Sequence, residues 1–167
     1  MKQHSKEIKM SNVWVTIGAP LCGKSTWRTN FLKTHPDTLV VCPDDIRKEL
    51  TGSISDQSRN SDVFQTAYKR LRDGITTHDD VIFDGTNIRP QTRDEIFDIA
   101  GSNPVHYVIF DVPLDELKRR KIADSERIKA GERSDVPEDV IERFHNQLRD
   151  NMQNIISDKR AASVEII

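Results

Sequence analysis

The chain has 167 residues, 25 of them basic and 27 acidic, for a formal charge of -2, which suits one domain with a core of its own. That balance excludes a broad basic nucleic-acid surface, while leaving room for a local track to a phosphorylated ligand. Hydrophobic residues are 35% of the total and fall in short runs, none near the roughly 20 apolar residues of a membrane span. Residues 1–9 are charged and lack the apolar stretch of a signal peptide, so a cytoplasmic protein is expected. Cys22 and Cys42 make neither a disulfide framework nor a zinc cluster with histidine, and they fit a reducing compartment.

In chain order, a polar lead-in over residues 1–12 should precede a single domain over residues 13–167. Val13 to Ile17 is a short apolar run that stops at Gly18, as a buried strand does. Ser25 to Leu32 predicts a helix. Thr38 to Cys42 predicts a second strand, punctuated by Pro43, with Asp44 and Asp45 placed to start the next helix. From Ser61 to Ile75, the spacing of Val63, Ala67, Leu71 and Ile75 is helical. Val81 to Phe83 predicts a third strand ending at Asp84-Gly85. A helix opened by Pro90 and Gln91 should bury Ile96, Phe97 and Ala100. Val105 to Phe110 predicts a fourth strand, Leu114 to Ala123 a helix, and Pro137 the start of another using Val140, Ile141, Phe144 and Leu148. Val164, Ile166 and Ile167 suggest a last short strand.

Strands alternating with helices predict an α/β fold, a parallel sheet flanked by helices, with an arginine-rich lid over approximately 118–136. Such sheets place ligands at the C-terminal ends of their strands. Gly18, Asp44 and Asp84 all fall there.

Gly18-Ala19-Pro20-Leu21-Cys22-Gly23-Lys24-Ser25 matches the Walker A pattern in full, with Thr26 following, in the strand–loop–helix setting the pattern needs. Its glycines let successive N–H groups and the helix start face phosphate oxygens. Lys24 can reach the terminal phosphates of ATP, and Ser25 can ligate Mg2+. Cys22 mainly offers its backbone to phosphate. Trp14, alternating with Val13 and Val15, suits sheet packing better than base stacking, and the scattered His35, His78, His106 and His145 suit surface or packing roles.

Around this loop stand groups suited to an acceptor. A carboxylate after the second strand, Asp44 or Asp45, can take the proton of an attacking hydroxyl. Arg47 lies one turn from Asp44 and can clamp an acceptor phosphate; the plainer alternative is helix capping and a surface ion pair. Asp84 can hold a magnesium-bound water or bind Ser25. Thr86 and Asn87 supply short polar groups for the acceptor, and Arg89 and Arg93 add charge to the same rim. Lys118, Arg119, Arg120, Lys121, Arg127, Lys129 and Arg133 form a basic stretch interrupted by Asp124, Glu126 and Glu132. With Gly131 in it, the stretch suits a mobile lid that brings guanidinium groups to developing charge. A charged helical surface is the alternative.

The ordered run of Val15-Thr16-Ile17-Gly18, Gly23-Lys24-Ser25-Thr26-Trp27, Asp44-Asp45-Ile46-Arg47, Thr86-Asn87 and Phe110-Asp111-Val112-Pro113, with Val136-Pro137 after the lid, resembles the P-loop 5'-hydroxyl polynucleotide kinase family. The likeness runs from about Val13 to Arg149, and within the family it is nearest to the kinase half of the bacteriophage polynucleotide kinase-phosphatase. The resemblance implies ATP and Mg2+ at Lys24 and Ser25, and a 5'-hydroxyl DNA or RNA end as substrate. It makes Asp44 the general base, places Arg47 on the adjacent 3'-phosphate, puts Thr86 on the acceptor side and matches Arg120 to a lid arginine. For the second lid arginine, Arg127 fits by distance from Arg120 and Arg133 by its approach to Val136-Pro137. The resemblance permits a homo-oligomer and implies the host cytoplasm if the chain is phage-encoded. Three features depart from the phage pattern: Pro43 stands where the phage enzyme has arginine, the lid is longer, and Asp84-Gly85 follows the animal repair kinases. No aspartate-rich phosphatase motif is present, so 3'-phosphatase activity is not implied. A small-molecule kinase acting on a nucleoside, nucleotide or sugar alcohol is the nearest alternative, and a nucleotide-dependent binding module a further one.

Overall fold

A computed structural model describes residues 9–167; most of the polar lead-in lies outside these. Five strands form one parallel sheet in the order β2-β3-β1-β4-β5. They are β1 Asn12–Ile17, β2 Leu39–Val41, β3 Asp80–Phe83, β4 Val105–Ile109 and β5 Ser163–Ile166. The helices are α1 Lys24–Thr34, α2 Pro43–Thr51, α3 Asn60–Gly74, α4 Pro90–Ala100, α5 Leu114–Ala123, α6 Ser125–Lys129 and α7 Glu138–Ile156.

Side chains alternate across a strand, and here that alternation sorts the interior into two cores. Val13, Val15 and Ile17 of β1 face one way, joining Phe83, Tyr107 and Ile109 against Val63, Ala67 and Leu71 of α3 and Ile96 of α4. Trp14 faces the other way, with Val108, Phe110, Leu117 of α5 and Ile141 of α7. Helix α7 serves both cores, since its Leu148 and Ile155 belong to the first. A sheet covered on both faces needs apolar strands, which is why these runs were readable.

The differences from the predicted elements have local causes. Strand β2 stops at Val41 because Cys42 is already the N-cap of α2 and Pro43 its first residue. Asp44 and Asp45 occupy the first turn of α2, as anticipated from the dipole. Phe97 is only partly buried, because it carries the Arg160 guanidinium over its ring, 4.3 Å from the centroid. The basic stretch is more helical than Gly131 suggested: α6 continues it, with Ile128 N–H bonded to the Asp124 carbonyl at 3.0 Å. Gly131 itself, at φ 73°, then turns the chain.

Trp14 packs rather than offering a platform. It lies 4.3 Å from the His106 ring and 5.1 Å from that of Phe31, and its indole N–H donates to Asp80 Oδ1 at 2.9 Å.

Strand β1 sits between β3 and β4, where the strand order reverses. Ligand crevices in open parallel sheets form at that point, beyond the C-terminal strand ends. The Gly18–Ser25 loop follows β1 directly.

Candidate active site

The loop closes tightly because two of its positions tolerate little else than glycine. A Cβ on Gly18 would lie 2.6 Å from Cys22 Sγ and 3.1 Å from Phe110 Cβ, while Gly23 holds φ at 105°. Leu21 also adopts positive φ, 67°, a strained choice for a residue with a side chain. Gly18 N–H donates to the Thr86 carbonyl at 3.0 Å, joining the loop to the turn after β3. Lys24 Nζ donates to the carbonyls of Gly18 and Ala19, at 3.1 and 2.8 Å, and lies 3.4 Å from Cys22 Sγ. Cys22 is buried and lines the loop's inner side, and both cysteines are free thiols.

This loop forms one wall of a cleft of about 570 Å³. Leu21 to Trp27 and Asn30 contribute from the loop and α1; Phe110, Arg120, Ala123, Asp124, Arg133 and Ile167 face them. Arg120 bridges the walls, its Nη1 donating to the Leu21 carbonyl at 3.0 Å while Nε donates to Glu116 at 2.9 Å. Arg133 reaches the cleft as an ion pair with Asp124, 2.9 Å away. Arg127 does not line it, and instead lies 3.4 Å from Glu132 on the exposed surface. Of the two arginines that spacing left open, the fold brings Arg133 to the cleft with Arg120.

Outside the cleft's own lining, the start of α2 and the turn after β3 form a separate wall, joined to the phosphate loop by the Gly18–Thr86 bond. Asp44 is exposed at 64% and accepts from Arg47 Nη1, whose side chain is 6% exposed. Arg47 Nη2 also donates to Asn60 Oδ1 at 3.0 Å, and its buried Nε has no partner. The surface ion pair offered as the plain alternative is thus half of a buried cation holding an exposed carboxylate. Thr86 is half-buried at the joint with the phosphate loop. Asn87 and Arg93, expected to face the acceptor, are spent on backbone. Asn87 Nδ2 donates to the carbonyls of Thr16 and Phe83 at 2.9 and 3.2 Å. Arg93 Nη1 donates to the carbonyls of Asn87 and Ile88. Both side chains are buried and fix the turn that presents Thr86.

Asp84 is buried with both oxygens engaged by protein donors: Thr16 Oγ1 at 3.0 Å and Arg28 Nη1 at 2.7 Å. No side-chain bond joins it to Ser25 among the described residues. Arg28, absent from the sequence-based site, lies three positions past Ser25 on α1, which places it on the same helical face. It also approaches Asp45 Oδ2 at 3.9 Å. Burial works against its charge, but Asp84, Cys42 and Asp45 outweigh that, and its pKa stands above the ordinary arginine value. Burial and then Asp84 push the Cys42 thiol up to about 11, which makes it a poor nucleophile.

Among the described residues no three His, Cys, Asp or Glu side chains converge as a metal cluster. Magnesium needs no such cluster, because it keeps several waters and borrows substrate phosphate oxygens. The exposed hydroxyl-bearing Ser25 at the start of α1 fits that sparse demand, whereas Asp84 has no unengaged oxygen. No described helix is long and apolar enough to cross a membrane.

A parallel five-stranded sheet flanked by helices, with a Walker A loop at its switch point, defines a P-loop NTPase-type α/β protein. The chain belongs to the AAA domain family, whose model matches residues 13–150. Its fold is similar to that of a chain of the Pnkp1/Rnl/Hen1 RNA repair complex, at TM-score 0.76 and 22% identity over 90% of this chain and 48% of that one. A second structure of a Pnkp1/Rnl/Hen1 complex gives TM-score 0.61 and 23% identity, covering 67% of this chain and 39% of the other. A fungal RNA kinase gives TM-score 0.60 and 18% identity, covering 94% and 38%. At these identities the likeness is one of fold, and it is not specific to the bacteriophage enzyme. The chain spans less than half the length of each of these proteins.

Proposed function

We propose that the protein is a magnesium-dependent kinase that transfers the γ-phosphoryl group of ATP to the 5'-hydroxyl of a polynucleotide. The observation that carries this reading is the pairing of walls: a phosphate loop with Arg120 and Arg133 opposite, and beside it an exposed Asp44 carboxylate anchored on a buried arginine. A nucleotide-binding switch needs no such carboxylate. The fold-level likeness to RNA repair and RNA kinase structures supports the same acceptor class.

In this mechanism the loop N–H groups of Gly18–Ser25 and the Lys24 ammonium hold the triphosphate. Lys24 exchanges its contacts with the Gly18 and Ala19 carbonyls for phosphate oxygens. Ser25 would hold Mg2+, which neutralises charge on the phosphate oxygens when bound. Arg120 and Arg133 stabilise charge on the transferred group, and the α5–α6 arm acts as a lid. Asp44 accepts the proton of the attacking hydroxyl. Thr86 contacts the acceptor from a turn that Asn87 and Arg93 hold rigid. Arg47 orients Asp44 and, as the resemblance implies, serves the phosphate next to the attacking hydroxyl.

One observation favours the smaller-acceptor alternative. Ser55 Oγ, in the loop between α2 and α3, lies 3.1 Å from Ser134 Oγ beyond α6. This contact joins the acceptor side to the lid and would suit a compact nucleoside, nucleotide or sugar alcohol. The deciding experiment offers γ-labelled ATP and Mg2+ with a 5'-hydroxyl oligonucleotide, a nucleoside 3'-monophosphate, or a small-molecule mixture. Label on the oligonucleotide supports the lead; label on small molecules alone replaces it.

A further inference from the structure

Asp84 stands where a P-loop enzyme is expected to keep a carboxylate for its metal. Here that carboxylate is already satisfied. Thr16 Oγ1 occupies Oδ1 and Arg28 Nη1 occupies Oδ2, and the side chain is 6% exposed. A buried carboxylate already paired with a guanidinium is a weaker partner for a second cation, and moving the guanidinium away would leave both groups uncompensated. Arg28 is unlike a surface partner in a second respect. It projects from α1, the helix that begins in the phosphate loop, and approaches Asp45 in the first turn of α2. One side chain therefore joins three separate strand ends: that of β1 through α1, that of β2 through α2, and that of β3 through Asp84.

We propose that Arg28 is a positioning residue that locks the start of α2, and with it Asp44, in register with the phosphate loop, and that Asp84 serves as its counter-ion rather than as a carrier of metal-bound water. This deepens the kinase reading, since it assigns the device that sets the distance between donor and hydroxyl base. Rigid placement of this kind matters because a displacement of about 1 Å can cost roughly 100-fold in rate. Arg28 needs no contact with ATP or acceptor to act in this way. Arginine suits the task better than lysine because its planar fork serves several partners at once.

The test uses Arg28→Gln, Arg28→Lys, Asp84→Asn and the Arg28→Gln/Asp84→Asn double variant in the full chain. Nucleotide affinity is followed through tryptophan fluorescence across a magnesium titration, since Trp27 lines the cleft, and unfolding is followed by circular dichroism. Arg28→Gln is expected to lower kcat with the preferred acceptor by roughly 100-fold, with magnesium-dependent ATP affinity altered less than about threefold. Arg28→Lys should recover part of kcat. Asp84→Asn should leave the magnesium concentration needed for half-maximal ATP binding unchanged. The double variant should melt above both single variants, because neither charge is left alone. A tenfold or greater rise in that magnesium requirement in Asp84→Asn would overturn the counter-ion assignment. Unchanged kcat in a folded Arg28→Gln protein would overturn the positioning role. Should the wild type phosphorylate no acceptor, the kinase reading fails by itself; the magnesium titration and the melting cycle still decide whether Asp84 answers to Arg28 or to a metal.

Discussion

The donor wall of the cleft and the acceptor wall outside it are built by opposite means. The donor wall is backbone: Gly18 is packed against Cys22 and Phe110, Gly23 and Leu21 take positive φ, and Lys24 is bonded to loop carbonyls. The acceptor wall is a set of charged side chains holding one another, with Arg47 on Asp44 and Asn60, Arg28 on Asp84, and Arg93 on the carbonyls of its own turn. A backbone site tolerates change wherever glycine is not required. A side-chain network fails at any member, because each lost partner strands a buried charge or carbonyl.

The largest effect expected from this contrast is at Asp44. Asp44→Asn keeps the size of the side chain and a bond to Arg47 but removes the base, and should lower kcat by about 10²- to 10⁴-fold with ATP binding intact. Single-turnover transfer and equilibrium nucleotide binding measure the two parts. Full turnover in Asp44→Asn would move the acceptor wall out of the chemistry and leave it as support.

Next in size is the choice between the two lid arginines. Arg133→Ala removes a cleft-lining cation and should cost about 10²- to 10³-fold in kcat. Arg127→Ala breaks only an exposed ion pair and should change kcat less than about fivefold. The reverse order would mean that the lid rearranges on closing and exchanges one arginine for the other.

How much of this was readable in the chain follows the same division. The phosphate loop was plain, since glycine spacing encodes backbone geometry and the strand before it is a mostly apolar run. Strands β1, β3 and β4 were readable for the same reason, being largely buried on both faces, and the exposed edge strand β5 by its apolar residues alone. Asp44 and Arg47 were legible as a helical i,i+3 pair. Which partner a charged side chain takes across the fold was not. Nothing local distinguishes Arg28, or ties Asn60 to Arg47 across 13 residues. Asn87 and Arg93 look like rim groups in sequence, yet carbonyls left open by the turn draw them inward. The local sign was Thr16, a polar residue in an otherwise apolar strand, fully buried because its hydroxyl donates a hydrogen bond to Asp84.

Arg93 gives a stability test of the acceptor wall. Arg93→Met keeps the apolar stem but abandons the Asn87 and Ile88 carbonyls, at roughly 1–3 kcal/mol for each orphaned group. Chemical denaturation should show the loss, with acceptor KM rising as Thr86 loses its fixed turn. A variant that is destabilised with unchanged KM would separate the turn's support from acceptor binding.

The smallest effect concerns Cys42, which reports the field of the acceptor wall without taking part in it. Burial first, and then the carboxylates of Asp84, Asp45 and Asp44, disfavour its thiolate, raising the pKa from 9.0 to about 11. In the unfolded chain the thiol ionises near 9.0, so the folded state holds its proton longer. Stability from this group is therefore fully present below pH 9 and declines as pH rises from there toward about 11, by roughly 1 kcal/mol per pH unit. Comparing wild type with Cys42→Ala by denaturation at pH 8 and pH 10 isolates the contribution, since the alanine variant lacks that slope. Alkylation offers a second reading: at pH 8 the native thiol should react far more slowly than in denaturant, where the thiolate forms freely. In Arg28→Gln a cation coupled to this thiol is gone while Asp84 remains, so native alkylation should slow further. Faster alkylation would mean that Arg28 holds the start of α2 closed over Cys42, and that its positional role outweighs its charge.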